Sequence, residues 1–91
     1  EYDKVDHIEN QIDKNNYKFS ARLEVDYINK KYDLLLPESE FYETIGGLIA
    51  YNTGEIPRKG EKIEINQYVF TVTKVTSKKI EEINLTLKDE E

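Results

Sequence analysis

The sequence predicts an α+β domain in which two short helices pack on a small antiparallel sheet of about four to five strands. Two observations carry this: apolar residues alternate at Tyr17, Phe19, Ala21 and at Tyr68, Phe70, Val72, and they recur at three- and four-residue spacing at Val25, Ile28, Tyr32 and at Ile45, Leu48, Ile49. A third is the turn chemistry between those runs, Asp13-Lys14-Asn15-Asn16 and Pro57 to Gly60.

In chain order, residues 8–12 carry Ile8 and Ile12 on one side of an extended segment, and residues 17–23 return as its hairpin partner. The period then changes. Residues 24–32 form an amphipathic helix, with Glu24 and Asp26 suited to its start and Lys30 and Lys31 to its end. Pro37 disfavours helix at Leu36, so residues 34–42 are a loop whose three leucines, Leu34 to Leu36, tuck under the domain. Thr44 is placed to cap a second helix carrying Ile45, Leu48, Ile49 and Asn52, and Gly54 to end it in a left-handed conformation. Ile63 and Ile65, then Tyr68 to Thr73, read as two strands. Ile83, Leu85 and Leu87 mark a last one. Ile80 is out of phase with those three, which requires either a bulge or a strand that begins after it.

The 91 residues suit one domain with a small core, since chains near this length bury only about 60–65% of the surface they expose when unfolded. With no cysteine there is neither a disulfide framework nor a thiolate site, so stability rests on packing. The charged ends read as a linker stub over 1–7 and an acidic tail over 88–91, leaving a domain over 8–87. The start at Glu1, without an initiator methionine, fits a segment cut from a longer protein.

Charge and hydropathy exclude whole function classes. A net charge of −6 opposes nucleic-acid binding, which needs a phosphate-neutralising surface. No apolar stretch approaches the roughly 20 residues that span a bilayer, so direct membrane insertion is not expected. Catalysis is not expected either. His7 is the only histidine and has no cysteine, second histidine or nucleophile setting around it, and no carboxylate pattern matches a calcium loop or a zinc-binding pair. The reading is therefore no catalytic residue, no metal site and no cofactor.

The glycine pair Gly46-Gly47 admits two readings. A helix start bearing Thr44, Gly46 and Gly47 could let backbone N–H groups approach an anionic ligand, which makes these three the candidate cofactor-binding residues. Missing side chains also let a first turn lie close against a strand, and the acidic residues Glu38, Glu40 and Glu43 upstream favour that packing role. Tyr42 and Arg58 are the candidate exposed contacts for a partner.

Four segments taken together resemble a known family: Tyr17-Lys18-Phe19-Ser20-Ala21-Arg22, Phe41 to Ile49 with its Thr-Ile-Gly-Gly centre, Gly54 to Ile63 with its Gly-x-Ile-Pro-x-x-Gly core, and Tyr68 to Val72. Their order and spacing are similar to the transporter-associated domain of CorC/HlyC type, the C-terminal module of hemolysin-C/CorC-like membrane proteins. Two features depart from the pattern. Ala21 stands where the family often has glycine, and Lys78, Lys79, Glu81 and Glu82 alternate in sign where it favours arginine.

The resemblance implies a fold akin to part of a flavin-binding domain. It also implies a cytoplasmic module of an inner-membrane protein that follows a transmembrane domain and a nucleotide-sensing CBS pair. The expected function is non-catalytic regulation of magnesium and cobalt efflux through contacts with those domains or in a homodimer. The alternative is a module that binds flavin or an adenine nucleotide.

Overall fold

Alternation in the apolar runs builds the sheet. In the computed structural model, which describes residues 8–88, five strands are hydrogen-bonded in the order β1-β2-β5-β4-β3, every neighbouring pair antiparallel. The strands are β1 (Glu9–Asp13), β2 (Asn16–Ser20), β3 (Lys62–Ile65), β4 (Tyr68–Val75) and β5 (Ile80–Leu87). Two helices, α1 (Val25–Tyr32) and α2 (Ile45–Thr53), lie between β2 and β3 in the chain. This is the α+β architecture that the residue pattern predicts. The last strand sits at the centre, pairing Phe19 with Ile83 on one side and Phe70 with Leu85 on the other, so the two halves of the chain close on β5.

One face of the sheet supplies the core. Tyr17, Phe19, Phe70, Val72, Ile83 and Leu85 from the strands meet Val25, Ile28, Ile45, Leu48 and Ile49 from the helices, all buried. The helix termini follow their sequence signals. Thr44 Oγ1 accepts the Gly47 N–H at 3.1 Å, and Gly54 ends α2 at φ +80° with its own N–H bonded to Ala50 O. α1 ends differently, on Asp33 at φ 57°, a left-handed position that aspartate tolerates better than most residues. The buried stripe of α2 stops at Ile49. Asn52 is exposed and donates back to Leu48 O.

Two packing expectations change in the structure, those for Ile12 and Leu35, and the Ile80 alternative is decided. Ile12 is 57% exposed, because the register between β1 and β2 slips between Gln11 and Asp13 and leaves Ile12 as the bulged residue of an edge strand. The residues of β1 opposite Tyr17 and Phe19 are Gln11 and Glu9. Leu35 is 76% exposed while Leu34 and Leu36 are buried, as an extended loop must send alternate side chains to opposite sides. Ile80 belongs to β5 and is buried, and its phase is reset by the two register shifts that flank Lys74 in β4, which is the bulge alternative. Ala21 does not require the backbone freedom of glycine, since the non-glycine residues with positive φ among those described are Asp33 and Asn66.

His7, residues 1–7 of the expected linker stub, and Asp89 to Glu91 lie outside the described residues. Lys88, at the start of the expected tail, donates its N–H to Gln67 O, and its ammonium pairs with Glu64.

Candidate functional site

The segment 42–45 is the centre of the candidate site, and the backbone holds it from both ends. Val25 N–H donates to Glu43 O and Ile45 N–H donates to Leu23 O, so residues 23–25 and 43–45 run as a short antiparallel ladder between α1 and α2. Two concavities border this ladder, one reaching Thr44 and the other Glu24, Val25 and Glu43.

The first concavity, about 250 Å³, holds Thr44, Gly46 and Gly47 together with Ala21, Ala50, Ile56 and Ile80, and Arg22, Lys78 and Lys79 border it. The three candidate ligand-binding residues are thus brought to one place, beside cations that sequence separation hid. Their backbone donors, however, are engaged within the chain: Ile45 N–H on Leu23 O, Gly46 N–H on Ala21 O, Gly47 N–H on Thr44 Oγ1 and Leu48 N–H on Thr44 O. The partial positive charge of the first turn is therefore met by protein oxygens. Space is equally committed. A Cβ on Gly46 would stand 3.2 Å from Ala21 Cβ, and one on Gly47 would stand 3.0 Å from Tyr42 Cβ.

The second concavity, about 260 Å³, is acidic, with Glu24, Asp26, Glu38 and Glu43 around Tyr42. Tyr42 is half-buried rather than freely exposed, and its hydroxyl donates to Pro37 O at 2.9 Å. Burial first, then Tyr51 and the Glu38 carboxylate, push its phenol above the usual tyrosine value. Its ring lies 5.5 Å from that of Tyr51, which in turn stacks on Phe41 at 5.7 Å with the planes 7° apart. Phe41 and Tyr51 are 68% and 58% exposed, so the candidate contact residue Tyr42 adjoins two exposed rings that the sequence does not single out. No periodicity in the sequence links position 41, in a loop, to position 51, on a helix. Arg58 is exposed in the turn before β3, where its N–H donates to the Glu61 carboxylate.

A third cluster is structural. The Glu9 carboxylate accepts from Lys31 Nζ at 2.6 Å, Tyr32 Oη at 2.9 Å and Tyr27 Oη at 2.9 and 3.0 Å, tying edge strand β1 to α1. Burial would raise the Glu9 carboxyl, but these donors outweigh it and hold it below its ordinary value.

Residues 10–89 match the family model described as "Transporter associated domain", CorC_HlyC. The chain belongs to this family. Among its relatives, the magnesium and cobalt efflux protein CorC of Escherichia coli K12 is 29% identical over 91 residues, covering 99% of this chain and 31% of that protein. Hemolysin C of Brachyspira hyodysenteriae is 38% identical over 74 residues, 79% of this chain and 27% of that protein. The chain thus spans about three-tenths of the length of the curated relatives it matches. Among solved structures, the CorC-associated region of a Mg2+ and Co2+ transporter from Neisseria meningitidis MC58 superposes with a TM-score of 0.79 at 26% identity, over 87% of this chain and 96% of that one. This is the same α+β fold, shared by a transporter-associated domain.

Proposed function

We propose that this chain is the regulatory, non-catalytic module of a larger membrane ion-transport protein of the magnesium and cobalt efflux type. The observation that carries the reading is the match to E. coli CorC, which covers nearly all of this chain but under a third of that relative. A part that aligns end to end with one segment of an efflux protein acts with the remainder, not in its place. The domain proper is residues 8–87, on the cytoplasmic side of the membrane, packed against a nucleotide-sensing CBS pair, the transmembrane domain or a second copy. Among the described residues no helix is long and apolar enough to cross a membrane.

In physical terms the module contributes a coupling free energy, typically about 1–3 kcal/mol, by making contacts in one domain arrangement that it lacks in another. Its rigid first turn of α2 suits that role, because a surface fixed by internal hydrogen bonds transmits a contact without first having to be ordered. The test is efflux of Mg2+ and Co2+ from cells carrying the whole protein with and without residues 8–88. Altered efflux at equal protein abundance supports the reading, and unchanged efflux refutes it.

A second reading has one observation in its favour. Arg22, Lys78 and Lys79 beside the glycine pair form an anion-attracting rim, which suits a flavin or adenine nucleotide. Such a ligand would be held by those side chains, since the N–H groups of the helix start are already bonded. Saturable amide shifts at Gly46, Gly47 and Lys79 on adding FMN or ATP would favour it.

A further inference from the structure

Two exposed aromatic rings in parallel contact need a physical reason. Single exposed apolar side chains are ordinary, but adjoining aromatic rings left in water form the kind of patch that marks an interaction surface. Phe41 and Tyr51 form such a pair, and Tyr42 extends it to the rim of the acidic concavity.

The patch is built rather than loose. Phe41 N–H donates to Ser39 Oγ at 3.0 Å, Ser39 and Tyr42 form a β-bridge, and Tyr42 is anchored by its hydroxyl on Pro37 O. Tyr51 stands on α2, whose buried side is fixed in the core. Preorganised aromatics of this kind are the commonest anchors of protein interfaces.

Charge identifies the partner. Glu24, Asp26, Glu38 and Glu43 face the same concavity as Tyr42, and among the described residues the ion pairs are Lys18 and Lys74 with Glu82, Lys31 with Glu9, and Lys88 with Glu64. None of the four carboxylates is neutralised by them. An aromatic face attracts a cation, arginine above all, and unpaired carboxylates beside it add attraction of the same sign.

We propose that Phe41, Tyr42 and Tyr51, with Glu24 and Glu43 at their border, form a docking surface for a basic protein segment that carries arginine beside an apolar side chain. The proposal rests on the reading of this chain as an interaction module and names its contact face. An anionic partner, nucleic acid included, is repelled here. A second copy docking here would reveal itself by doubled mass.

The test uses the 91-residue chain and two probes: a short peptide of alternating leucine and arginine, and its counterpart with glutamate for arginine. The arginine peptide is expected to give saturable amide shifts at Phe41, Tyr42, Glu43 and Tyr51, weakening as salt rises. Affinity should fall at least about tenfold in F41S/Y51S and, separately, in E24Q/E43Q, a loss of at least about 1.4 kcal/mol by the tenfold rule. The second variant leaves the aromatic surface intact, so a folding defect in the first does not blur the result. Equal binding of the glutamate peptide, no saturation at about 1 mM, or concentration-dependent doubling of mass without peptide binding would each overturn the proposal.

In the whole protein, efflux altered by removing residues 8–88 but not by F41S/Y51S would overturn this surface and leave the regulatory reading standing. Peptide binding at the named residues without any effect of that removal on efflux would do the reverse.

Discussion

Gly46 and Ala21 meet so closely that a methyl on the glycine would stand 3.2 Å from Ala21 Cβ and 3.3 Å from Ala21 O. The alanine cannot easily retreat, because its N–H is bonded to Glu81 O and its carbonyl accepts from Gly46 itself. Gly46→Ala gains about 1 kcal/mol in helix propensity but forces that contact, and overpacking of this sort costs about 1–3 kcal/mol. The expected outcome is net loss of stability in urea denaturation. A more stable variant would show that the first turn of α2 has room to spare.

Thr44 and Gly54 close the two ends of α2 by different means, and their variants should respond differently. Thr44→Ala removes the oxygen that accepts the Gly47 N–H, and an N-cap of this kind is worth about 1 kcal/mol. Gly54→Ala meets no neighbour within 4 Å, yet places a side chain at φ +80°, and a loss of about 1 kcal/mol follows from the backbone alone. Gly54→Asn should recover part of it, because asparagine tolerates that region.

Glu9 and Lys31 make stability depend on pH. The folded Glu9 carboxyl titrates below its ordinary value of 4.5, so the native state binds fewer protons than the unfolded chain in that range. Its contribution is present above that ordinary value and is lost as pH falls through the lower folded one. The Lys31 ammonium, raised first by the Glu9 hydrogen bond and then by Tyr27, behaves oppositely: its contribution is full below 10.5 and lost as pH rises beyond it. Glu9→Gln should cost about 1–2 kcal/mol at neutral pH, discounted because Lys31 is half exposed, and the difference from wild type should shrink as pH falls below the ordinary carboxyl value of 4.5. Urea denaturation at three or four pH values checks this.

Tyr42→Phe removes one hydroxyl that donates to Pro37 O while keeping the ring against Tyr51. A loss of about 1 kcal/mol is expected, with the Pro37 carbonyl left short of a partner. Ser at both Phe41 and Tyr51 should change stability by no more than about 0.5–1 kcal/mol, since both rings are mostly in water. That pair of results would separate the anchor of the patch from its exposed surface.

Most of the fold is legible in the residues because each level agrees with the next: the period-two runs are strands, the period-four runs helices, and Thr44 and Gly54 sit where caps belong. What escapes is decided by tertiary context. Ile12 has the spacing of a buried residue and is turned out by a bulge in an edge strand, and Leu35 is turned out by the extended loop around it. Glu9 has no sequence mark of a hub, because its three donors come from one face of α1, across the sheet edge. The candidate site is half legible. Thr44, Gly46, Gly47 and Tyr42 are readable from local pattern, whereas Tyr51 joins Phe41, and Lys78 joins Arg22, only when the chain folds.

A protein-facing surface and a ligand at the glycine pair are the two ways this domain could work, and amide NMR of the chain reports both at once. Titration with the remainder of the proposed membrane protein, expressed without residues 8–88, should shift Phe41, Tyr42, Glu43 and Tyr51 and leave Ile45 to Leu48 in place, while FMN and ATP shift neither group. Saturable shifts centred on Gly46 and Gly47 with either nucleotide, and none at the aromatic rings with protein, would contradict a protein-facing role.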